Sequence, residues 1–283
     1  MNNMNKKIFQ PPRSIERRYR RAIDRLLFEV KKQAKKALTP EDAIQLIRRF
    51  ARSPTFRDAA YDIARSMVTH LATANQRTWR EAAAKGGKAR EIYQALKKEL
   101  SNSRLYHNII RNNAQYISSA PLDVAEKLTA KMAKGYEAGR RPDDLLQEVL
   151  TEWSGYSKSQ AKLIARTEVS KASTALTHAR CEKAGVGWYV WRNSEDERVR
   201  SSHQYMNGVL VAWSEPPSPE ELDPRHEQRP YGKYHAGETF NCRCYPQALL
   251  EFSDVSWPHK VYYQGRVRYM TLAEFKRING GNI

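Results

Sequence analysis

An almost unbroken helical pattern up to Gly185 constrains this chain more than any other feature of its sequence. From residue 14 onward, apolar side chains recur every three to four positions, which is the spacing of one face of an α-helix. The first such series is Ile15, Tyr19, Ile23 and Leu27. Thr39 before Pro40 predicts the start of the next helix, because threonine caps helix N-termini and proline fits the first turn.

Proline and glycine divide the rest of this half into further helices. Gly86-Gly87, Pro121, Gly139 and Pro142 are the predicted breaks, since both residue types interrupt helical periodicity. After the helix that begins at Pro40, the predicted helices cover about 56–85, 88–100, 103–117, 121–138, 142–153 and 157–182.

The sequence has a different texture after Gly185. Aromatic and β-branched runs predict short strands, and a proline-rich stretch predicts a long loop. These segments are strands at 188–191 and 209–211, a loop at 214–236 and a hairpin over 261–269. Thr271 and Glu274 form a capping-box pattern that predicts a short final helix.

The fold class predicted is α+β, with an elongated, mainly helical N-terminal half followed by a small α+β C-terminal domain. The predicted segments are a flexible arm (1–13), a basic all-helical domain (14–155), a small α+β domain (156–250) and a C-terminal hairpin with a short helix (251–283).

Positive charge is concentrated in the first half. The chain of 283 residues has a net charge of +18, and residues 1–40 contain twelve basic and three acidic side chains. Nucleic acid is the commonest partner of such a segment; an acidic protein surface and a simply solvated basic helix face are the alternatives. The candidate nucleic-acid-binding residues are Arg17, Arg18, Arg20, Arg21, Arg25, Lys31, Lys32, Lys35 and Lys36.

Several classes of protein do not fit this sequence. No stretch approaches the ~18–20 apolar residues of a membrane helix, and no apolar segment follows Lys6 and Lys7 as in a secretory signal. We therefore expect no membrane partner. Three cysteines do not make a disulfide framework, which favours a reducing compartment. Walker and dinucleotide-binding glycine patterns are absent from the sequence.

Cys242 and Cys244 are the sharpest chemical signal. In an extended segment, residues two apart point to the same side, so both sulfurs would face one point and Arg243 would point away. Two thiolates with a shared orientation suit zinc, although buried small cysteines or a redox pair give the same pattern. His203 is a candidate third ligand, with a catalytic base or a structural histidine as the alternatives. Further candidate ligands are Cys181, Asp196, His235 and Glu238.

A series of ordered motifs resembles the phage Mu F-like minor head proteins, also called phage head morphogenesis proteins. The resemblance covers about residues 125–250. The residues that carry it are Arg166 and Glu168, then Arg198, Arg200 and His203, then Gly208, and finally Asn241, Cys242, Arg243 and Cys244.

The resemblance implies a minor capsid protein of a tailed double-stranded DNA phage. Such a protein lies in the virion, inside the head and associated with the portal, after a period in the host cytoplasm during assembly. The implied partners are the portal protein, the major capsid or scaffolding protein, and double-stranded DNA. The implied role is in head assembly and in DNA packaging or ejection, without enzymatic activity.

This sequence departs from the family pattern at the metal-binding positions. Relatives have a Cys-x₂-Cys where this chain has Arg200 and His203, and a histidine where it has Thr239. His203, Cys242 and Cys244 remain as candidate zinc ligands. A fourth ligand would be Asp196, Glu238, Cys181 or water. If no metal binds, Arg200 is expected to pair with Asp196 or Glu238 instead.

Two other classes of function, an enzyme and a nucleic-acid-binding module, compete with the head-protein interpretation. A metal-dependent nuclease fits the positive charge and His203, and an ADP-ribosyltransferase-like enzyme would use Arg166 and Glu168. Those two residues lie in a predicted helix, where local contacts are the simpler interpretation. A general nucleic-acid-binding module is the third possibility, and it predicts steep salt dependence.

Overall fold

A computed structural model describes residues 8–84, 88–97 and 103–280 of the chain. The chain forms two compact units that interleave along the sequence. One, the α+β unit, draws its residues from 1–12, 71–100 and 169–283; the other, the helical unit, draws them from 13–70 and 101–168. The units are not consecutive segments because two long helices contribute residues to both. The sequence-based boundaries at 155 and 250 stay predictions.

In the described part of the chain, six long or medium helices precede the first strand. They are α1 (Arg13–Ala34), α2 (Pro40–Ala51), α3 (Pro54–Ala84), α4 (Ala89–Lys97), α5 (Arg104–Glu137) and α6 (Pro142–Ala184). The predicted cap of α2 is confirmed, since the Thr39 hydroxyl accepts a hydrogen bond from the Asp42 N–H at 3.1 Å.

Two predicted breaks are absent, because α5 and α6 are continuous. Pro121 lies inside α5 with Ile117 and Val124, and all three are buried. Proline removes one backbone hydrogen bond, but burial of this apolar stripe outweighs that loss. In α6 the expected gap before Ser157 is helical as well, because Trp153 is fully packed and its indole N–H donates to the Leu27 carbonyl at 3.2 Å.

The α+β unit is built on a five-stranded sheet. Its strands are β1 (Trp188–Arg192), β2 (Leu210–Ala212), β3 (Tyr245–Ala248), β4 (His259–Tyr263) and β5 (Arg266–Met270). Their order in the sheet is β3-β1-β2-β4-β5. Leu210 pairs with Val261 in a parallel arrangement, and the other neighbouring strands are antiparallel. The predicted hairpin is confirmed as β4–β5, whereas β3 was not expected.

Among the described residues, three short α-helices follow β1. They are α7 (Ser201–Tyr205), α8 (Pro219–Leu222) and α9 (Leu272–Ile278). The capping box predicted for the last of them is confirmed, with Thr271 and Glu274 each bonded to the other's backbone N–H. The stretch 214–236, expected to be a loop throughout, contains α8.

The two faces of the sheet pack against different partners because side chains alternate along a strand. Trp188 and Val190 share a core with Phe275 of α9. Tyr189 and Trp191 belong to the second core, which includes both cysteines of the Cys-Arg-Cys segment. The candidate site therefore lies on the sheet face opposite α9.

The observed architecture confirms the α+β class. A helical N-terminal part precedes a small mixed sheet with short helices. Among the described residues, we find no helix that combines the length and the apolar character needed to cross a bilayer.

Candidate functional site

Two short segments deliver the ligand-type side chains to one point in the α+β unit. His203 lies on α7, and Cys242 and Cys244 lie between Gly237 and β3. Gly237 has a φ of +90°, and a Cβ there would lie 2.6 Å from Thr174 Oγ1 and 2.7 Å from the Cys244 carbonyl oxygen. Only glycine fits this close approach, so this residue fixes the course of the cysteine segment.

The imidazole of His203 faces both sulfurs. Its Nδ1 lies 3.5 Å from Cys242 Sγ and 3.3 Å from Cys244 Sγ. All three residues are buried, with exposed fractions of 2%, 4% and 2%. The expectation that the two sulfurs face one point is therefore met, and their common neighbour is the histidine proposed from the sequence.

A second layer of hydrogen bonds orients this histidine. His203 Nε2 lies 2.9 Å from the Tyr234 hydroxyl, which donates to Glu220 Oε1 at 2.6 Å. Since the tyrosine proton goes to the carboxylate, the hydroxyl oxygen accepts the Nε2–H of the imidazole. Nδ1 is then the unprotonated nitrogen, and its lone pair points at the two sulfurs. Ligating histidines in metal sites are held in this way through their other ring nitrogen.

The electrostatics of the two thiols differ. A hydrogen bond from the Cys244 side chain holds the pKa of Cys242 well below its usual range. Burial, together with the neighbouring Cys242, raises the pKa of Cys244. One thiolate therefore forms readily and the second is resisted, because two negative charges would share a buried site. A divalent cation at this point would stabilise both thiolates.

Asp196, the fourth tentative ligand, does not join this group. The three residues whose ligand atoms come together, within 4.8 Å of one another, are His203, Cys242 and Cys244. One oxygen of Asp196 pairs with Arg243 Nη1 at 3.0 Å, and the other accepts the Arg198 N–H at 3.1 Å. These hydrogen bonds outweigh the effect of burial and hold the pKa of Asp196 below its usual range.

The other candidates for a fourth ligand are engaged elsewhere. Glu238 accepts the His235 backbone N–H at 2.7 Å. Cys181 lies in the core of this unit, where burial raises the pKa of its thiol to about 12. Among the described residues, the site therefore offers one nitrogen and two sulfur ligands.

Arg200 does not form the expected pair with Asp196 or Glu238. Its guanidinium donates to the Phe240 carbonyl at 3.0 Å and lies 5.2 Å and 5.0 Å from the ring centroids of Tyr231 and Phe240. This cation–π cluster anchors the proline-rich loop to the cysteine segment.

The remaining motif residues lie in different surroundings. Gly208 has a φ of +85°, and its carbonyl accepts from His259 at 2.7 Å. Asn241 adopts a φ of +56° just before the first cysteine, as asparagine tolerates better than most residues. Arg166 and Glu168 belong to the helical unit, where both are buried, and Arg166 Nε lies 3.9 Å from Glu16.

Sequence reasoning missed Tyr234 and Glu220. Both come from the proline-rich stretch, where no periodicity marks a buried residue. Glu220 is 2% exposed, and it also accepts a hydrogen bond from the Ser202 hydroxyl at 3.2 Å. A glutamate in the polar sequence Ser-Pro-Glu-Glu gives no sign of such burial. The fold alone identifies these two residues as the support of His203.

The basic residues of α1 lie on a separate surface of the helical unit. An open groove of about 730 Å³ is lined by Arg17, Arg18, Arg21 and Arg25, with Ser14 and Asp24. Other members of the predicted set have local partners. The pairs are Arg20 with Asp24, Lys31 with Ser154, Lys32 with Glu29, and Lys36 with Gln33.

Comparison with known proteins identifies the segment that contains the metal-ligand candidates. Residues 123–246 match the family model described as Phage Mu protein F like protein. This segment is similar to phage Mu protein F. The match confirms the resemblance that the sequence indicates over about residues 125–250, and it associates the chain with phage head morphogenesis.

One curated relative matches about half of this chain. An uncharacterized protein of Haemophilus influenzae is 30% identical over 139 residues, which is 49% of this chain and 28% of that protein. The chain thus spans less than a third of the length of this relative. No solved structure matches the chain significantly.

Proposed function

We propose that this chain is a minor capsid protein of a tailed double-stranded DNA phage, associated with the portal inside the head. The observation that carries the proposal is the Mu F-like match over residues 123–246, which includes the whole candidate site. In this role the protein contacts the portal and the major capsid or scaffolding protein. It aids head assembly and the packaging or ejection of DNA.

The proposed DNA contact is the exposed face of α1. Arg17, Arg21 and Arg25 form no side-chain hydrogen bond or ion pair with the residues that the structure describes, so their charges are available. Cations spaced along a helix bind phosphates by releasing condensed counterions. Such binding tolerates any DNA sequence, which suits a protein that meets packaged genomic DNA.

The proposed cofactor is a structural zinc ion held by His203, Cys242 and Cys244. The fit rests on the donor set, since an imidazole lone pair and two thiols converge in a buried position and the imidazole is oriented through Tyr234. Zinc favours such nitrogen and sulfur ligands. When bound, the ion would link α7 to the segment before β3 and would thereby brace the fold.

The proposal includes no catalytic activity. His203 is 2% exposed and is enclosed by two sulfurs and a tyrosine, so a substrate would have to displace the core to reach it. Arg166 and Glu168, the residues of the transferase alternative, are 7% and 5% exposed within the helical unit. Their burial favours a structural role over a catalytic one.

Quantitative mass spectrometry of purified particles tests the proposed location. We expect a few to a few tens of copies of this protein for each particle, measured against the major capsid protein. Cross-linking before digestion should join it to the portal protein. Absence from washed, DNA-filled particles would contradict a virion role, and particles treated with nuclease and high salt are the control for protein that merely adheres to DNA.

A further inference from the structure

A buried arginine in the α+β unit has no counter-charge among the described residues. Arg180 lies on α6, is 4% exposed, and its Nε has no hydrogen-bond partner. Removing a guanidinium from water costs several kcal/mol unless an anion or hydrogen-bond acceptors compensate. A negative group beside Arg180 would offset this cost, and the described residues do not supply one.

The charged neighbour of Arg180 is a second arginine. Asn75 on α3 donates to Thr177 on α6 at 3.0 Å, which brings the two helices together one turn before Arg180. Arg80, one and a half turns beyond Asn75, is exposed. Burial, and secondly the charge of Arg80, lowers the pKa of Arg180 to about 10. Two positive charges thus lie close together, one inside the unit and one at its surface.

Nearby carboxylates do not neutralise this pair. Glu81 and Glu182 are adjacent in sequence to the two arginines, but both are exposed and neither forms an ion pair with Arg80 or Arg180 in the described ranges. Of the residues outside those ranges, Glu99 has the one acidic side chain. Its substitution is therefore the control for a counter-charge supplied by the chain itself.

We propose that Arg180 and Arg80 form a binding site for a phosphate-type oxyanion. The guanidinium fork matches the geometry of phosphate oxygens and can bind them through two parallel hydrogen bonds. Arg180 provides a fixed, buried contact, and Arg80 closes on the anion from the surface. This site goes beyond the proposed head function, and the anion is either free phosphate or a phosphodiester group of nucleic acid.

Thermal unfolding of the full chain in sodium phosphate and in sodium chloride, at equal ionic strength and pH, tests the site. We expect phosphate to raise the Tm of the wild type by about 5 °C at a hundred times its dissociation constant. Arg180→Met and Arg80→Gln should each abolish that rise. Arg77→Gln, which removes an exposed arginine from the same helix, is the matched control and should retain it.

The chloride measurements distinguish an external anion from one within the chain. If the anion comes from outside the chain, Arg180→Met should leave the Tm in chloride unchanged or raise it. The reason is that an apolar side chain of similar length replaces a buried unpaired charge. Glu99→Gln should also leave the Tm unchanged. A fall in Tm for both variants would assign the counter-charge to Glu99 and overturn the proposal.

A duplex titration identifies the source of the anion. If wild type binds a short DNA duplex more tightly than Arg80→Gln does, and phosphate competes, the ligand is a phosphodiester group. If phosphate raises the Tm of the wild type but Arg80→Gln binds the duplex as tightly as the wild type does, the ligand is free phosphate. Equal wild-type Tm values in phosphate and chloride, or a phosphate effect retained by Arg80→Gln, would refute the site even if Arg180→Met fails to fold.

Discussion

Two polar regions of this chain differ in their exposure to water. In the α+β unit, His203 and the two cysteines are almost fully buried, and the other ring nitrogen of the histidine is hydrogen-bonded to Tyr234. In the helical unit, the arginines of α1 line an open groove. The stability of a buried cluster depends on each of its residues. The contributions of exposed charges to DNA binding instead add together. The comparison therefore predicts large effects of single substitutions in one unit and cumulative effects in the other.

The largest effect is expected for His203→Ala. The substitution removes the group that both thiols face and leaves the Tyr234 hydroxyl without its imidazole donor. We expect a loss of about 3–4 kcal/mol in the free energy of unfolding, measured by urea denaturation, and a loss of bound zinc, measured by elemental analysis.

An exposed histidine provides the matched control for that experiment. His107→Ala, an exposed position on α5, should change the stability by less than about 0.5 kcal/mol. Cys242→Ser and Cys244→Ser should also destabilise the α+β unit. If all three site variants unfold at the wild-type urea concentration, the centre does not brace the fold and the comparison fails.

The second prediction tests whether the exposed arginines of α1 contribute additively to DNA binding. Replacing Arg17, Arg21 and Arg25 together by Gln should reduce DNA affinity ~10²-fold near 0.1 M salt and lower the salt slope by ~3, because three phosphate contacts are lost. Each single replacement should have a much smaller effect. Fluorescence anisotropy with a duplex at several salt concentrations measures both quantities.

The control for the α1 variant removes the same total charge elsewhere in the chain. Arg49, Arg52 and Arg57 are exposed and lie outside α1. If their joint replacement by Gln weakens DNA binding as much as the α1 variant does, net charge and not this helix face is responsible. A single arginine of α1 that abolished binding would equally contradict additive action.

A third substitution sharpens the comparison, because the helical unit also contains a buried polar pair. The Tyr19 hydroxyl donates to Asn113 Oδ1 at 3.0 Å, and both residues are 2% exposed. Tyr19→Phe should therefore cost about 1–2 kcal/mol in the free energy of unfolding, since a buried acceptor loses its donor. Tyr61→Phe, at a position 41% exposed, should be nearly neutral in the same urea titration.

The smallest effect concerns Asp196 and depends on pH. Its depressed pKa means that the folded state favours the carboxylate, so its contribution is present above the unfolded pKa of about 3.9 and is lost as the pH falls through the folded value. Asp196→Asn should cost about 0.5–1 kcal/mol at pH 7, because the pair with Arg243 is partly exposed. The difference from wild type should therefore be smaller at pH 3 than at pH 7.

Urea denaturation at both pH values measures this difference. Asp58→Asn, at an exposed position on α3, serves as the comparison variant and should show little change at pH 7. An Asp196→Asn penalty that persists undiminished at pH 3 would show that the ionised carboxylate is not what stabilises the segment.

Local sequence signals predicted the elements that local physics governs. The Thr39 cap, the final capping box and the β4–β5 hairpin are confirmed, because caps and tight turns depend on residues only a few positions apart. The breaks expected at Pro121 and before Ser157 are wrong. At both places burial of long apolar faces outweighs a weak local preference, and that burial is invisible in a window of a few residues.

The candidate site also combines features that the sequence predicted with features that it did not. The spacing of Cys242 and Cys244 was enough to predict sulfurs that face one point, since that geometry is local. His203 was one of several candidate ligands that the residues offered, and the family resemblance reduced the obvious ligands to His203 and the two cysteines. The support from Tyr234 and Glu220, and the engagement of Asp196 by Arg243, were not predictable from either.

The sequence by itself determined the helical and strand-bearing halves, the basic character of α1, the family resemblance and the three ligand-type side chains. Tertiary structure decided which polar groups are buried, which carboxylate is already paired and where an arginine has no described counter-charge. Those properties depend on contacts between residues that are tens of positions apart in the sequence. Free energies of desolvation and pairing are set by such contacts, and local residue patterns do not contain them.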